Sequence, residues 1–105
     1  MDPIRLECEG APENWIDFSR RVTRPQIAAY FEAINKADDA ALLEVYRRVV
    51  VDANLVDADG VAVRWNDLVA LDLDRFPVMV VDFFARSFSV AVRELRQLGN
   101  PKRPG

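Results

Sequence analysis

The sequence predicts a small, α-rich α+β domain: an N-terminal β-hairpin, two medium helices, a short β-hairpin or turn, and a long C-terminal helix. Three observations lead there. Residues 4–8, IRLEC, alternate apolar and polar with the period of a strand. Two capped segments with helical apolar spacing follow, starting at Thr23 and Asp38. The stretch 74–98, DRFPVMVVDFFARSFSVAVRELRQL, then carries apolar residues at helical spacing without a break.

In chain order, Ile4, Leu6 and Cys8 share one face of the first strand and Arg5, Glu7 and Glu9 the other. Gly10-Ala11-Pro12-Glu13-Asn14 reads as a loop of about five residues before a second strand, Trp15–Phe18, in which Ile16 and Phe18 share a face. Two strands alone are marginal in water, so the hairpin must lie on helices. Thr23 with Gln26 three residues on forms a capping box, and Pro25 sits in the first turn of a helix running to about Asn35, with Ile27, Phe31 and Ile34 on its buried side. Asp38 or Asp39 caps a second helix in which Leu42, Val45, Tyr46, Val49 and Ala53 recur on one face. Asn54–Val63 reads as a short hairpin turning on Asp59-Gly60, a pair that tolerates positive φ at both turn positions. Asn66 or Asp67 starts one short helical turn ending at Leu71.

The last helix spans Asp74 to Leu98, about 37 Å at 1.5 Å per residue. Asp74 caps it, Pro77 falls in its first turn, and Gly99 with Pro101 ends it. One ridge is Phe76, Val80, Phe84, Phe88, Ala91, Leu95 and Leu98; Met79, Val81, Phe83 and Val92 widen it. A face that broad needs several partners. Asp82 and Arg86 cut the apolar run short of the roughly 18 residues a bilayer requires, so no membrane span is expected. Residues 1–100 thus read as a single globular domain and 101–105, PKRPG, as a disordered basic tail.

With 105 residues the chain is long enough for one core. Its single cysteine forms no internal disulfide, and its start lacks a basic segment followed by an apolar run, so a cytoplasmic protein is expected. Fourteen Lys plus Arg against 17 Asp plus Glu, with a net charge of −3, give no electrostatic basis for binding nucleic acid. Arg20, Arg21, Arg24, Arg47 and Arg48 with Lys102 and Arg103 of the tail could join into a basic patch but read as a solvated face, because acidic residues are interleaved throughout and no aromatic platform for bases accompanies the arginines.

The residues that could carry chemistry are few. Asp57-Ala58-Asp59-Gly60 resembles the start of a calcium loop, but with Gly60 at loop position 6 the first and twelfth ligands would be Leu55 and Asn66, so it reads as a turn. Asp72 and Asp74, near Asp67, read as helix caps, because no histidine and no third convergent ligand accompany them. Cys8 lacks an imidazole base and points with Ile4 and Leu6. Ser87 and Ser89 read as packing or back-bonding hydroxyls, and Trp15 and Trp65 as core plugs or exposed anchors. No catalytic residue, metal or cofactor is expected.

The order of strand, turn, Trp with arginines, Thr-capped helix, second helix before an Asp-x-Asp-Gly turn, and long last helix resembles small tail proteins of bacteriophages and prophages, specifically the tail assembly chaperone class. The stretches that carry the likeness are Trp15–Thr23 (WIDFSRRVT), Asn54–Gly60 (NLVDADG) and Leu98–Asn100 (LGN). The resemblance implies a non-enzymatic module in the bacterial cytoplasm that binds a helical tail component such as a tape-measure protein, often as the shorter product of a frameshifted pair. The family offers no residue-level motif to transfer. Binding a helix requires an apolar groove, and the expected place is incompletely covered surface around Phe83, Phe84 and Phe88, or Trp65 nearby. A two-fold homodimer is the other way to close such a surface. The alternative function is a structural virion or tail-completion component, or another homo-oligomeric interaction protein.

Overall fold

A computed structural model describes residues 2–70 and 72–98. The expected turn end at Leu71, the Gly99 cap and the tail 101–105 lie outside the described residues.

The domain is α+β. Strands β1 (Ile4–Cys8) and β2 (Ala11–Phe18) are followed by helices α1 (Arg24–Asn35) and α2 (Asp39–Val49), strands β3 (Val50–Val56) and β4 (Ala62–Arg64), two 3-10 turns (Trp65–Ala70 and Leu73–Arg75) and helix α3 (Val78–Leu98). The strands form one antiparallel sheet in the order β1-β2-β3-β4. The segment 54–63 therefore joins the N-terminal hairpin, with Ile16 opposite Ala53 and Trp15 opposite Asn54, and the α1–α2 pair is inserted between the two central strands. Alternation sends Ile16, Phe18, Ala53, Leu55 and Val63 into the core, where they meet Tyr46 and Val49 of α2 and Val80, Phe84, Phe88, Ala91 and Val92 of α3. The helices cover one face of the sheet.

The N-terminal turn is tighter than the sequence predicts. Cys8 pairs with Ala11, so only Glu9 and Gly10 turn the chain, and Gly10 supplies the positive φ of +85°. The ladder breaks next to Cys8, where β2 advances from Ala11 to Trp15 while β1 advances one residue. Proline has no N–H to give a ladder, which suits Pro12 to this bulge. Asn14 repairs it. Buried to 2% exposure, its Oδ1 accepts from the Val56 amide at 2.7 Å and its Nδ2 donates to the Ala11 carbonyl at 3.2 Å.

Helix α1 begins as expected, with Thr23 and Gln26 completing the capping box. Its buried face does not match the prediction. Tyr30 and Ala33 are buried, whereas Phe31 and Ile34 are exposed and Ile27 is half-covered. The Tyr30 ring packs edge-on against Phe88 with centroids 4.9 Å apart, and its hydroxyl donates to the Ala85 carbonyl. A phenol with an apolar ring and a partner for its O–H is at home inside, and it turns the helix.

Asp38 caps α2, accepting from the Ala41 amide at 3.0 Å. Leu42, Val45, Tyr46 and Val49 are buried as expected, but the helix stops at Val49 and Ala53 reaches the core from β3 instead. Val49-Val50-Val51 is a β-branched run that favours the strand, and pairing with β2 decides the matter. The β3–β4 connection is also not a two-residue Asp-Gly turn. Val56 pairs with Ala62, leaving residues 57–61 as the loop, and only Gly60 has positive φ, +81°.

Helix α3 is shorter than expected, starting at Val78 and not at Asp74. Proline at 77 disfavours helical angles at residue 76, and Phe76 is extended at φ −105° and ψ 147°. Asp72, not Asp74, caps the preceding 3-10 turn, accepting from the Asp74 amide at 3.0 Å. The Pro77 carbonyl then accepts from the Val80 and Val81 amides. No described helix is long and apolar enough to cross a membrane.

Candidate functional site

Phe84 and Phe88 are 0% exposed, packed against Tyr46, Phe18 and Tyr30. This corrects the expectation that they belong to a partner surface. Both sit on the side of α3 that faces the sheet and α2, where Tyr46 anchors them: its hydroxyl donates to the Phe84 carbonyl, and burial pushes its pKa well above the usual phenol range. Of the four expected residues, Phe83 and Trp65 remain, each half-buried against the edge of the core. Trp65 opens the 3-10 turn after β4, and the groove that holds Phe83 does not include it.

Phe83 belongs to a different constellation. Along α3, Met79, Phe83, Arg86 and Val90 recur at i, i+4, i+7 and i+11, one helical face. Met79 is 51% and Val90 37% exposed, and Val78 at the helix start is more exposed still. This face lies beside Leu6, Glu7, Cys8 and Glu9 of β1 and its turn, across a groove of about 380 Å³ that also holds Asp82 and Ser87. The floor is apolar and the rim carries both signs of charge. Strand β1 is one of the sheet's two edges, so its outer backbone groups have no strand partner among the described residues. An open edge beside an apolar helical stripe can accept a strand, a helix or both.

The uncovered sheet face is polar and largely self-satisfied. Trp15 stands at its centre, with the Arg5 guanidinium 3.8 Å and the Arg64 guanidinium 5.3 Å from its ring. Arg5 grips Asp17 through two hydrogen bonds of 2.7 and 3.0 Å, and Arg64 holds Asp52 at 2.6 Å. Trp15 is thus neither core plug nor free anchor but the filling of an arginine stack. Each cation already has a carboxylate.

The groups considered for chemistry are accounted for structurally. Asp57 is a buried brace: Oδ1 accepts from the Asp59 and Val61 amides at 2.9 Å each, and Oδ2 accepts from Arg75 at 3.0 Å, tying the loop to the turn before α3. The Val61 amide and Arg75 hold its pKa below the usual carboxylate range. Cys8 is buried, and desolvation, with Glu13 and Glu9 adding, pushes its thiol up, the wrong direction for a nucleophile. Ser87 and Ser89 donate to the Phe84 and Arg86 carbonyls at 2.9 and 2.7 Å, as back-bonding hydroxyls do. Among the described residues no three acidic or sulfur groups converge as a metal site would require.

Sequence reading missed the groove because its two walls come from opposite ends of the chain. Only the surplus width of the α3 apolar face signalled it. Comparisons with protein-family models, with curated proteins and with solved structures returned no match.

Proposed function

We propose that this chain is a protein-binding module acting in assembly, of the kind that phage tail assembly chaperones represent, and that it binds through the groove between β1 and α3. One observation carries the reading: the apolar stripe of exposed Met79 and Val90 with half-buried Phe83 between them runs beside an open strand edge, while every nearby titratable group is either committed to structure or on the solvated rim. Exposed apolar surface is a cost that a small domain keeps where it binds. The arrangement suits a long helical client, whose apolar face would lie along α3 with the groove floor under it.

Affinity capture from a lysate of the source cell, with mass-spectrometric identification, tests this. The reading predicts recovery of a long α-helical tail component with the native protein, and its loss with Met79→Glu or Phe83→Asp. Recovery of that component undiminished by both substitutions would place binding elsewhere. Capture of no tail component from cells making phage particles would refute the assembly role.

A further inference from the structure

The groove has a symmetry that a general docking site does not need. Strand β1 reads Ile4-Arg5-Leu6-Glu7-Cys8. If a second copy pairs antiparallel along this edge with Leu6 opposite Leu6, then Arg5 falls opposite Glu7 of the second copy and Glu7 opposite its Arg5, on the solvated face. Ile4 falls opposite Cys8 on the face toward α3, because residues directly opposite in an antiparallel pair point to the same side. The strand is its own charge complement about its midpoint, with Glu7 of the second copy adding a second carboxylate to the Arg5 that Asp17 already holds.

Helix α3 repeats the pattern. Asp82 and Arg86 flank the middle of the exposed stripe, and two α3 helices packed antiparallel about that middle set Asp82 of each against Arg86 of the other. Met79 then meets the end of the stripe that carries Val90, and Phe83 lies near the axis. The two midpoints lie on the same face of the domain, since Asp82, Phe83 and Arg86 line one groove together with Leu6 and Glu7. The opposite edge of the sheet offers nothing comparable. Strand β4 has three residues and runs straight into a 3-10 turn, whereas β1 has five; its charged Arg5 and Glu7 and the irregularity beside Cys8 guard the edge against indiscriminate pairing, and the register above is the one in which both charges meet their opposites.

We propose that this face is closed by a second copy of the chain in a two-fold dimer, β1 against β1 in an eight-stranded sheet and the Met79-Phe83-Val90 stripe against its counterpart. The inference rests on the reading of the groove as a protein-binding face and names what occupies it when no client is present. An isologous interface needs one surface that is complementary to itself, and here strand and helix each meet that condition on the same face. Client binding then requires the dimer to open.

Sedimentation equilibrium of the purified full chain between about 1 and 100 µM tests it, with charge-swap variants as the discriminating step. The native chain is expected to show twice the monomer mass. Asp82→Arg and Arg86→Asp each change two attractive contacts into two repulsive ones, so each weakens dimerisation by about tenfold. The double variant D82R/R86D restores the complementary pairs and returns the dissociation constant to within about threefold of native. Met79→Glu, at an exposed position where folding is not at stake, weakens the dimer as well, and far-UV circular dichroism confirms that each variant is folded. A monomer throughout the range overturns the proposal, as does a dimer indifferent to these substitutions or single-variant defects that the double variant fails to rescue. None of those outcomes touches capture of a tail component, which the client-binding reading alone predicts.

Discussion

Asn14→Ala is the substitution whose cost can be worked most directly from the structure. The side chain is buried in the β2 bulge and supplies two hydrogen bonds that the interrupted ladder lacks, one to the Val56 amide and one from its own amide to the Ala11 carbonyl. Alanine leaves both backbone groups without that partner. A buried polar group stranded by removal of its partner costs about 1–3 kcal/mol. Two such groups, one of them only partly buried, bring the expected loss to about 2–4 kcal/mol. A domain of this size loses about 4–8 °C in Tm per kcal/mol, so the transition should fall by roughly 8–32 °C, read by calorimetry, with urea titration followed by circular dichroism giving the free energy itself. Asn54→Ala is the internal control. Its Nδ2 donates to the Glu13 carbonyl at 2.8 Å, but from an exposed position where water replaces it, so it should cost less than about 1 kcal/mol. Equal costs for the two substitutions, or an Asn14→Ala loss below about 0.5 kcal/mol, would refute the claim that Asn14 replaces the ladder at the bulge.

Further outcomes follow from the packing. Phe88→Ala removes a ring at zero exposure that touches Phe18, Tyr30 and Tyr46 and should cost about 3–5 kcal/mol in urea unfolding, while Phe31→Ala, at an exposed site, should cost a fraction of that. Thr23→Ala removes the capping oxygen of α1 and should cost about 1 kcal/mol. Asp57 has a folded pKa below its unfolded value near 3.9, so its carboxylate stabilises the fold above that value, and the contribution disappears as pH falls through the lower folded pKa. Asp57→Asn should therefore be less stable than native near neutrality, with the difference narrowing below about pH 4 as the native carboxyl protonates. A gap unchanged down to pH 2 would show that the charge on Asp57 is not what braces the loop.

Local signals were legible in the sequence and long-range ones were not. The Thr23–Gln26 capping box, the Asp38 cap, the Leu42-Val45-Tyr46-Val49 face and the β1 alternation each depend on residues within one or two turns of each other, and the structure contains all of them. The errors arise where a distant contact overrides local pattern. Ile27, Phe31 and Ile34 are the more apolar set in α1, yet Tyr30 is the residue buried, because its hydroxyl finds the Ala85 carbonyl on α3. The second helix stops before Ala53 because β2 is waiting to pair with β3. Asn14 looked like a turn residue, and only the register of three strands reveals it as a ladder substitute. Pro77, by contrast, carried a legible stop signal that outweighs the Asp74 cap: its effect on Phe76 fixes where α3 can begin. The groove face was visible only as too much apolar width on α3, and which half of that width is covered depends on where the sheet and α2 lie.

The central claim is that proteins bind this chain along Met79, Phe83 and Val90 beside β1. Site-specific photocrosslinking tests it most directly, with a photoreactive side chain placed at 79, 83 or 90 in one set of proteins and at Phe31 or Val61, exposed apolar positions outside the groove, in another. The account predicts protein adducts in source cells from the three groove positions and none from the two controls, with a self-adduct where the dimer stands and a larger one where a client has replaced it. Adducts from 31 or 61 with none from the groove would contradict it.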